Sequence, residues 1–430
     1  MSDDPTQLSA SELAAAISAR SISPAEAVRA YLERVERLNP SLNAVIHIDV
    51  ERALAAAARP PAGRLSGVPM TLKDSHRVAG MPTVVGNPDA PRRPAPHDGF
   101  VAARLRAEGA ILLGKTNVAR DLADFQTSNP VHGRTNNPWD VLRTPGGSSG
   151  GAAAAVAAHL SPIEVGSDIA GSVRLPAAFC GVIGLKPTLG AISTRGHVTE
   201  PVSHPRGGGV GVLAAVGPMA RTFDDITLLL DVLGAPREAS PFDPAATSLG
   251  VIGAFEGIPV AESIGAAITE LAREARRNQV HVEHVEAPAD LREHHRTWVD
   301  LHAAATSTGA AWRTSAALRR RRAAAREAWD SLFGDHDALL LPAVMCGPFT
   351  HRPTGTPIEV DGQPVPYWRL SAYTEPFNLT AHPAIAFPIG ADASGLPIGV
   401  QLVAQHGGDH WLVRAAEWLA ALMPAPSLPA

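Results

Sequence analysis

Residues 145–151 read Pro-Gly-Gly-Ser-Ser-Gly-Gly, and residues 168–174 read Asp-Ile-Ala-Gly-Ser-Val-Arg. Glycine allows backbone conformations that other residues avoid, so both stretches are typical of tight loops. The apolar run Ile163–Gly166 lies between them and predicts a strand that ends close to the second loop. Two serine-bearing loops are therefore expected on either side of one strand.

Short apolar runs alternate with helical patterns along the rest of the chain. Two N-terminal helices are predicted by capping boxes at Ser9 and Ser23, and the second is expected to stop at Asn39-Pro40. A C-terminal helix is predicted from Asp409. Further strands are predicted at Leu65–Lys73, Ala110–Gly114, Leu339–Val344, Ala384–Pro388 and Ile398–Val403. Strands separated by helices predict an α/β sheet with both faces covered.

The chain has 430 residues, enough for two or three domains or for one large α/β body. We expect a single domain over residues 1–430, because structured segments continue to the C-terminus. Its expected parts are N-terminal helices (1–60), a catalytic core (61–235), variable peripheral helices (236–338), and C-terminal core strands with a helix (339–430). The glycine run at 207–209 is expected to be a loop that could border a pocket.

Composition excludes several classes of protein. The net charge of −5 offers no basic surface to nucleic acid, and two cysteines, Cys180 and Cys346, exclude a disulfide scaffold or a cysteine-rich zinc module. Residues 1–7 contain no apolar signal segment, and no run reaches the roughly 20 apolar residues that span a bilayer. We expect a cytoplasmic protein, monomer or homodimer, with a small-molecule substrate and no nucleic-acid or membrane partner.

Lysine is rare in this chain: the 37 basic residues include only Lys73, Lys115 and Lys186. Arginine keeps its proton, because its pKa exceeds about 12, whereas a buried lysine can become neutral. A biased composition could explain any one of the three lysines, but all of them lie within short glycine-containing motifs. Lys115 and Lys186 are interpreted as structural residues that tie loops together.

Four ordered blocks resemble the amidase signature family of serine hydrolases. They are the two serine-bearing loops, residues 67–74 (Gly-Val-Pro-Met-Thr-Leu-Lys-Asp) and residues 181–188 (Gly-Val-Ile-Gly-Leu-Lys-Pro-Thr). The resemblance is weakest between about Pro236 and Ala338, where this chain is shorter than many relatives. It implies an amidase with a single large mixed β-sheet covered by helices on both faces, and with no cofactor and no metal.

Carried over by position, the resemblance implies a catalytic triad of Ser172, Ser148 and Lys73. Ser172 would attack the amide carbonyl and form an acyl-enzyme, Ser148 would bridge, and Lys73 would be the base. A lysine acts as a base only when neutral, so Lys73 is expected to be buried. The family also implies a cis peptide between Gly147 and Ser148.

Supporting roles follow from the same resemblance. The backbone N–H groups expected to bind the oxyanion belong to Ile169, Ala170, Gly171 and Ser172. The residues expected to hold this loop are Ser149, Asp168 and Arg174. The residues expected to line the acyl pocket, since they lie between two matched blocks, are Phe125, Gln126, Thr127 and Ser128.

Two other interpretations of the first loop remain open. It matches G-x-S-x-G, in which Ser148 would be the nucleophile of an α/β-hydrolase, but that motif needs a strand before the serine and residues 143–145 predict a poor one. The glycines could also form an ordinary turn that opens a helix at 152–159. A phosphate-binding P-loop is improbable, because no Lys-Ser/Thr follows the glycines.

The predicted reaction is hydrolysis of the C–N bond of a carboxylic amide. Aryl esters and carbamates (urethanes) are the nearest variants, because they pass through related tetrahedral intermediates. The alternative is the glutaminase component of a tRNA-dependent amidotransferase complex. Such proteins resemble the same family but usually carry a basic stretch in the region that this chain shortens.

Overall fold

The computed structural model describes residues 4–197, 212–237, 241–288, 290–307 and 315–424. The glycine run at 207–209, predicted to border a pocket, lies outside these ranges. The strands of the described residues are β1 (Val45–Ile48), β2 (Pro69–Lys73), β3 (Ile111–Thr116), β4 (Ser128–Asn129), β5 (Gly133–Arg134), β6 (Ile163–Asp168), β7 (Ile183–Lys186), β8 (Ala215–Ala220), β9 (Ser248–Val251), β10 (His281–His284), β11 (Ala338–Pro342), β12 (Ile358–Val360), β13 (Gln363–Val365), β14 (Ala384–Ala391) and β15 (Pro397–Ala404).

The helices of the same residues are α1 (Ala10–Ser18), α2 (Pro24–Leu42), α3 (Val50–Ala58), α4 (Phe100–Ala107), α5 (Gly150–Ala157), α6 (Arg174–Cys180), α7 (Phe223–Val232), α8 (Glu262–Arg277), α9 (Leu291–Ser307), α10 (Ala316–Leu332), α11 (Glu375–Leu379) and α12 (Asp409–Ala421). The capping boxes predicted at Ser9 and Ser23 are formed, each with a glutamate three residues later. The C-terminal helix begins at Asp409, as its sequence predicts.

An eight-stranded sheet forms the centre of the fold, in the order β10-β9-β11-β15-β14-β7-β8-β6. β9 runs parallel to β10 and β11, and the other neighbouring pairs are antiparallel. Helices α5 and α6 form one group against the sheet, and α7 and α12 form another. The prediction of an α/β fold around one large mixed sheet is confirmed.

A smaller three-stranded sheet, in the order β1-β3-β2, carries Lys73 at the end of β2. β2 runs parallel to β3 and also lies against β6 of the large sheet. Every residue of β2 and of β6 is buried. This contact brings the end of β2 to the end of β6, from which the second serine-bearing loop departs.

Two expectations differ from the structure. α2 continues through Pro40 to Leu42, because a proline in the last turn removes only one backbone hydrogen bond, and Asn39 Oδ1 accepts bonds from the N–H groups of Ala44 and Val45. The segment 236–338, expected to be helical, also contributes β9 and β10 to one edge of the large sheet. These two strands have only four residues each, shorter than most of the apolar runs from which strands were predicted.

No helix among the described residues combines the length and the apolar character that crossing a lipid bilayer requires.

Candidate active site

Lys73 is fully buried, and its amine lies among hydroxyl groups. The Nζ atom is 2.9 Å from Ser148 Oγ, 2.7 Å from Ser149 Oγ and 3.0 Å from Ser167 Oγ. It is also 3.3 Å from the carbonyl oxygen of Ser167. The structure therefore places the predicted base within hydrogen-bonding distance of the predicted bridging serine, although the two residues are far apart in sequence.

Burial lowers the pKa of Lys73 to about 7, because removing the ammonium from water penalises its charged form. The carboxylates of Asp168 and Glu164 oppose this shift. Glu164 is itself buried, which raises its pKa to about 7, and its Oε2 accepts a hydrogen bond from the backbone N–H of Lys73. The amine can therefore change its protonation state close to neutral pH, as a general base must.

The hydrogen-bonding groups around Lys73 Nζ can all be satisfied by a neutral amine. The Ser149 hydroxyl donates to the carbonyl of Ser167 at 3.3 Å, so Ser149 Oγ accepts from Lys73. A neutral amine has two N–H groups and one lone pair, and Ser149 and Ser167 offer acceptors for both N–H groups. The lone pair is then available to accept the hydroxyl proton of Ser148. The Gly147–Ser148 peptide is cis, as the family resemblance implies.

Ser172 lies on the loop that joins β6 to α6, where it is 9% exposed. Its carbonyl accepts a hydrogen bond of 3.2 Å from the N–H of Ser149, which joins the two serine-bearing loops next to Ser148. Among the described residues, no hydrogen bond links the hydroxyl of Ser172 to that of Ser148. The structure thus brings the loops of all three predicted residues together but forms only the contact between Lys73 and Ser148.

Gly171 explains the shape of this loop. Its φ is +116°, a conformation that favours glycine, and a Cβ at this position would lie 2.3 Å from Thr374 Oγ1. Thr374 in turn donates a 2.7 Å hydrogen bond to the carbonyl of Ala170. Thr374, just before α11, therefore helps to hold this loop in place.

The predicted oxyanion donors are not equally available. The N–H of Gly171 donates to Asp168 Oδ1 at 2.7 Å, so this donor is already occupied. Within the described part of the chain, the N–H groups of Ile169, Ala170 and Ser172 make no hydrogen bond. Three of the four predicted donors are therefore free to bind a developing negative charge.

Asp168 and Arg174 form a buried ion pair beneath the loop. Arg174 donates to both carboxylate oxygens, at 3.1 Å and 2.9 Å, and the guanidinium is the main attraction that holds the pKa of Asp168 below its usual range despite burial. Arg174 also donates to Asn378 and Gln401. The pair anchors the Ser172 loop to the C-terminal part of the chain.

The four residues predicted to line the acyl pocket occupy different surroundings. Thr127 is buried and its hydroxyl donates to the carbonyl of Gly146, so it holds the first loop. Ser128 is exposed on a short strand pair, and both ends of the Gln126 side-chain amide bond the backbone of Arg352. Phe125 alone of these four joins a cluster of aromatic rings.

Phe125 lies close to Tyr367 and Trp368, with ring centroids 6.1 Å and 5.9 Å away. The backbone of residues 124–126 touches Gly147, where an added Cβ would lie within 2.9 Å of three of its atoms. The aromatic cluster is therefore next to the loop that carries Ser148.

Several residues of this site had no part in the sequence interpretation. The clearest are Ser167, which contacts Lys73 Nζ, and Glu164, which binds its backbone. Both lie within the fully buried strand β6, and a polar residue within a buried strand is a signal that could have drawn attention to them. Asn378 and Gln401 both contact Arg174, and this contact depends on the tertiary fold.

The alternative in which Ser148 is the nucleophile of an α/β-hydrolase (a nucleophile elbow) requires a strand directly before the serine, and the structure has none there. Residues 144–147 form no strand, and Ser148 is followed by α5 from Gly150. The turn that opens a helix is present, but it also carries the serine that contacts Lys73.

Comparisons with known proteins cover most of the chain. A family model described as Amidase matches residues 26–248 and 262–413. An acylamidase of Rhodococcus erythropolis is 33% identical over 97% of this chain and 96% of that protein. A glutamyl-tRNA(Gln) amidotransferase subunit from Thermus thermophilus is 32% identical over 95% of both chains. The structure of 6-aminohexanoate cyclic dimer hydrolase complexed with substrate aligns with a TM-score of 0.83 and 29% identity, over 99% of this chain and 100% of that one.

Proposed function

The chain belongs to the amidase signature family of amide-hydrolysing enzymes, and on this basis we propose that Ser172, Ser148 and Lys73 are its catalytic triad. The observation that carries the proposal is the buried amine of Lys73, 2.9 Å from Ser148 Oγ and with its pKa lowered to about 7. A base that can be neutral at physiological pH is what a serine nucleophile requires.

In the proposed acylation, Ser172 Oγ bonds to the carbonyl carbon of the amide. Its proton passes to Ser148, whose own proton passes to Lys73 Nζ. The free N–H groups of the loop 169–172 bind the oxyanion. When the C–N bond breaks, the proton returns through Ser148 to the leaving nitrogen, and the amine departs.

Water completes the reaction by the same route. It attacks the ester carbon of the acylated Ser172 and gives its proton towards Lys73 through Ser148, and the carboxylic acid leaves as the serine regains a proton. The Ser172 hydroxyl must form a hydrogen bond with Ser148 during this cycle, and catalytic hydrogen bonds of this kind often form only when substrate is bound.

Replacement of the nucleophile tests the triad. We expect Ser172→Ala to reduce kcat by about 10⁶-fold and to abolish covalent labelling by a fluorophosphonate. The control is Ser394→Ala, which changes an exposed serine in a turn and should leave labelling and turnover unchanged. Labelling that persists on Ser148 in the Ser172→Ala protein would favour the elbow mechanism instead.

The aromatic cluster of Phe125, Tyr367 and Trp368 supports an aromatic or bulky acyl group as the substrate class. Ring edges and faces bind aromatic groups through contacts worth about 0.5–1.5 kcal/mol beyond area burial. A panel of chromogenic amides, aryl esters and carbamates, ranked by kcat/KM, tests this. Equal rates for acetyl and benzoyl amides would contradict it.

A second candidate is the glutaminase role in a tRNA-dependent amidotransferase, which the similarity to the Thermus thermophilus protein favours. A component of that kind would need partner proteins to act. Turnover of glutamine and of simple amides by the isolated chain, with its size measured by gel filtration, separates the two roles. Strong hydrolysis of simple amides by the isolated chain would support the amidase.

A further inference from the structure

Every backbone carbonyl of the Ser172 loop, from residue 168 to residue 172, accepts a hydrogen bond. Leu175 and Ser149 bind the carbonyls of residues 171 and 172 through their backbone N–H groups, at 2.8 Å and 3.2 Å. Side chains from outside the loop bind the other three carbonyls: Asn378 Nδ2 that of residue 168 at 2.9 Å, Trp298 Nε1 that of residue 169 at 3.1 Å, and Thr374 Oγ1 that of residue 170 at 2.7 Å. Other parts of the chain therefore set the conformation of this loop.

The peptide between Ile169 and Ala170 is held on one side only. Its carbonyl accepts from Trp298, while its N–H makes no hydrogen bond to any residue that the structure describes. The next peptide is held on both sides, because Thr374 binds its carbonyl and Asp168 binds its N–H. Within the described ranges, Trp298 is thus the one hydrogen-bond partner of the Ile169–Ala170 peptide.

The bond from Trp298 fixes the direction of the Ala170 N–H. The cis peptide of the described residues is Gly147–Ser148, so the Ile169–Ala170 peptide is trans. A trans peptide is planar, and its C=O and N–H groups point in opposite directions. With the carbonyl held by Trp298, the N–H of Ala170 points away from α9. This N–H is one of the three free donors of the loop.

Trp298 is itself held by its packing on α9. Its indole ring stacks on His302, with ring centroids 5.0 Å apart and the two planes inclined by 12°. His295 Nδ1 lies 2.9 Å from Glu375 Oε1 and joins α9 to α11, the helix that follows Thr374. Trp298 and Ile169 pack together against a cluster of buried apolar residues: Val212, Leu213, Leu301, Ala305, Ala325 and Leu379.

We propose that Trp298 is a positioning residue for the oxyanion site: its indole N–H holds the Ile169 carbonyl and so directs the N–H of Ala170 at the developing negative charge. The inference rests on the proposed triad, since the oxyanion forms when Ser172 attacks a carbonyl. Donors that are already oriented stabilise a transition state well, because they need no rearrangement as the charge develops. Trp298 acts through the peptide plane and does not itself bind the charge.

Replacement of the indole N–H is the test. Trp298→Phe removes this donor and keeps an aromatic ring against His302. We expect kcat for benzoyl para-nitroanilide to fall by about 10–100-fold with KM nearly unchanged, which is less than the roughly 10²–10³-fold cost of removing a direct donor. Binding of phenyl trifluoromethyl ketone, whose adduct with Ser172 carries an oxyanion, should weaken by the same factor.

The rate constant for fluorophosphonate labelling of Ser172 is a second measurement, and it requires no knowledge of the natural substrate. It should also fall in Trp298→Phe, because the phosphonyl oxygen takes the place of the oxyanion. Circular dichroism and the melting temperature verify that the variant is folded.

Two further variants are matched to Trp298→Phe. Trp418→Phe changes a partly buried tryptophan of α12 that packs against Phe242, and it should leave kcat and labelling unchanged. Thr374→Val removes the hydrogen bond to the Ala170 carbonyl, but Asp168 still holds the N–H of that peptide. We therefore expect a smaller loss of kcat in Thr374→Val than in Trp298→Phe.

Four results would overturn the role of Trp298 and leave the triad in place. They are wild-type kcat and labelling in folded Trp298→Phe, a raised KM with unchanged kcat, an equal loss in Trp418→Phe, and a loss in Thr374→Val as large as that in Trp298→Phe. Failure of the proposed function is a different result: fluorophosphonate would then not label Ser172 in the wild-type protein.

Discussion

Lys73 and Lys115 are neighbours on adjacent strands but face different chemical surroundings. In the register of β2 and β3, Leu72 pairs with Lys115, and Lys73 with Thr116. Both lysines are buried to within 1% of full burial. Lys115 Nζ lies 2.9 Å from Asp74 Oδ1, whereas Lys73 Nζ contacts the three serine hydroxyls.

The difference teaches that burial alone does not make a lysine a base. A carboxylate in contact favours the ammonium, while hydroxyls and a carbonyl can be satisfied by a neutral amine. Asp74 follows Lys73 directly, yet its side chain turns to the Lys115 side and also accepts from the N–H groups of Val84 and Val85. At the end of β2, Asp74 therefore pairs with Lys115 and leaves the amine of Lys73 among hydroxyl groups.

Among the changes that test this comparison of the two lysines, replacement of Lys73 should have the largest effect. We expect Lys73→Ala to lower kcat/KM by about 10²–10⁴-fold, the usual contribution of a general base, and raising the pH should not restore the rate. Steady-state kinetics on a chromogenic amide measure it. A near-normal rate for this variant would remove lysine from the mechanism.

At Lys115 the expected loss is in stability. Lys115→Met leaves the buried carboxylate of Asp74 without its partner, so we expect the free energy of unfolding to fall by about 3–5 kcal/mol. The double variant Asp74→Asn/Lys115→Met should recover most of that loss, because no unpaired charge remains. Urea denaturation measures both, and a double variant as unstable as the single one would show that the pair is not the cause.

The pH dependence of kcat/KM tests the role of Lys73 as a base, with a smaller expected effect than the substitutions. Because the pKa of Lys73 is lowered to about 7, the neutral base disappears as the pH falls below that value. We expect kcat/KM to fall about tenfold for each pH unit below the midpoint, and to level off above it. A flat profile between pH 6 and 8 in a protein that keeps its fold would contradict a titrating Lys73.

The smallest effect concerns Glu164, whose negative charge raises the pKa of Lys73. Glu164→Gln removes that charge, so the acidic limb of the profile should move to lower pH by up to about one unit. The matched control is Glu283→Gln, an exposed glutamate of β10, which should leave the limb in place. A limb that moves upward in Glu164→Gln would reverse the proposed electrostatics.

Motifs with a strong local signal could be predicted from sequence. The capping boxes at Ser9 and Ser23 and the apolar runs of β2, β6 and β15 each depend on residues close in the chain, and the structure has these elements. The sequence analysis did not predict β9 and the edge strand β10, because strands of only four residues are too short to show a clear periodicity.

Sequence by itself determined the α/β fold, the family, and the choice of Lys73, Ser148 and Ser172 as candidates, because these follow from local patterns and ordered motifs. Tertiary structure decided what surrounds them: that Ser167 shares the amine of Lys73, and that Asp168 occupies the N–H of Gly171. The physical reason is that protonation state and hydrogen-bond direction depend on atoms within about 3 Å, which the chain brings together only when it folds.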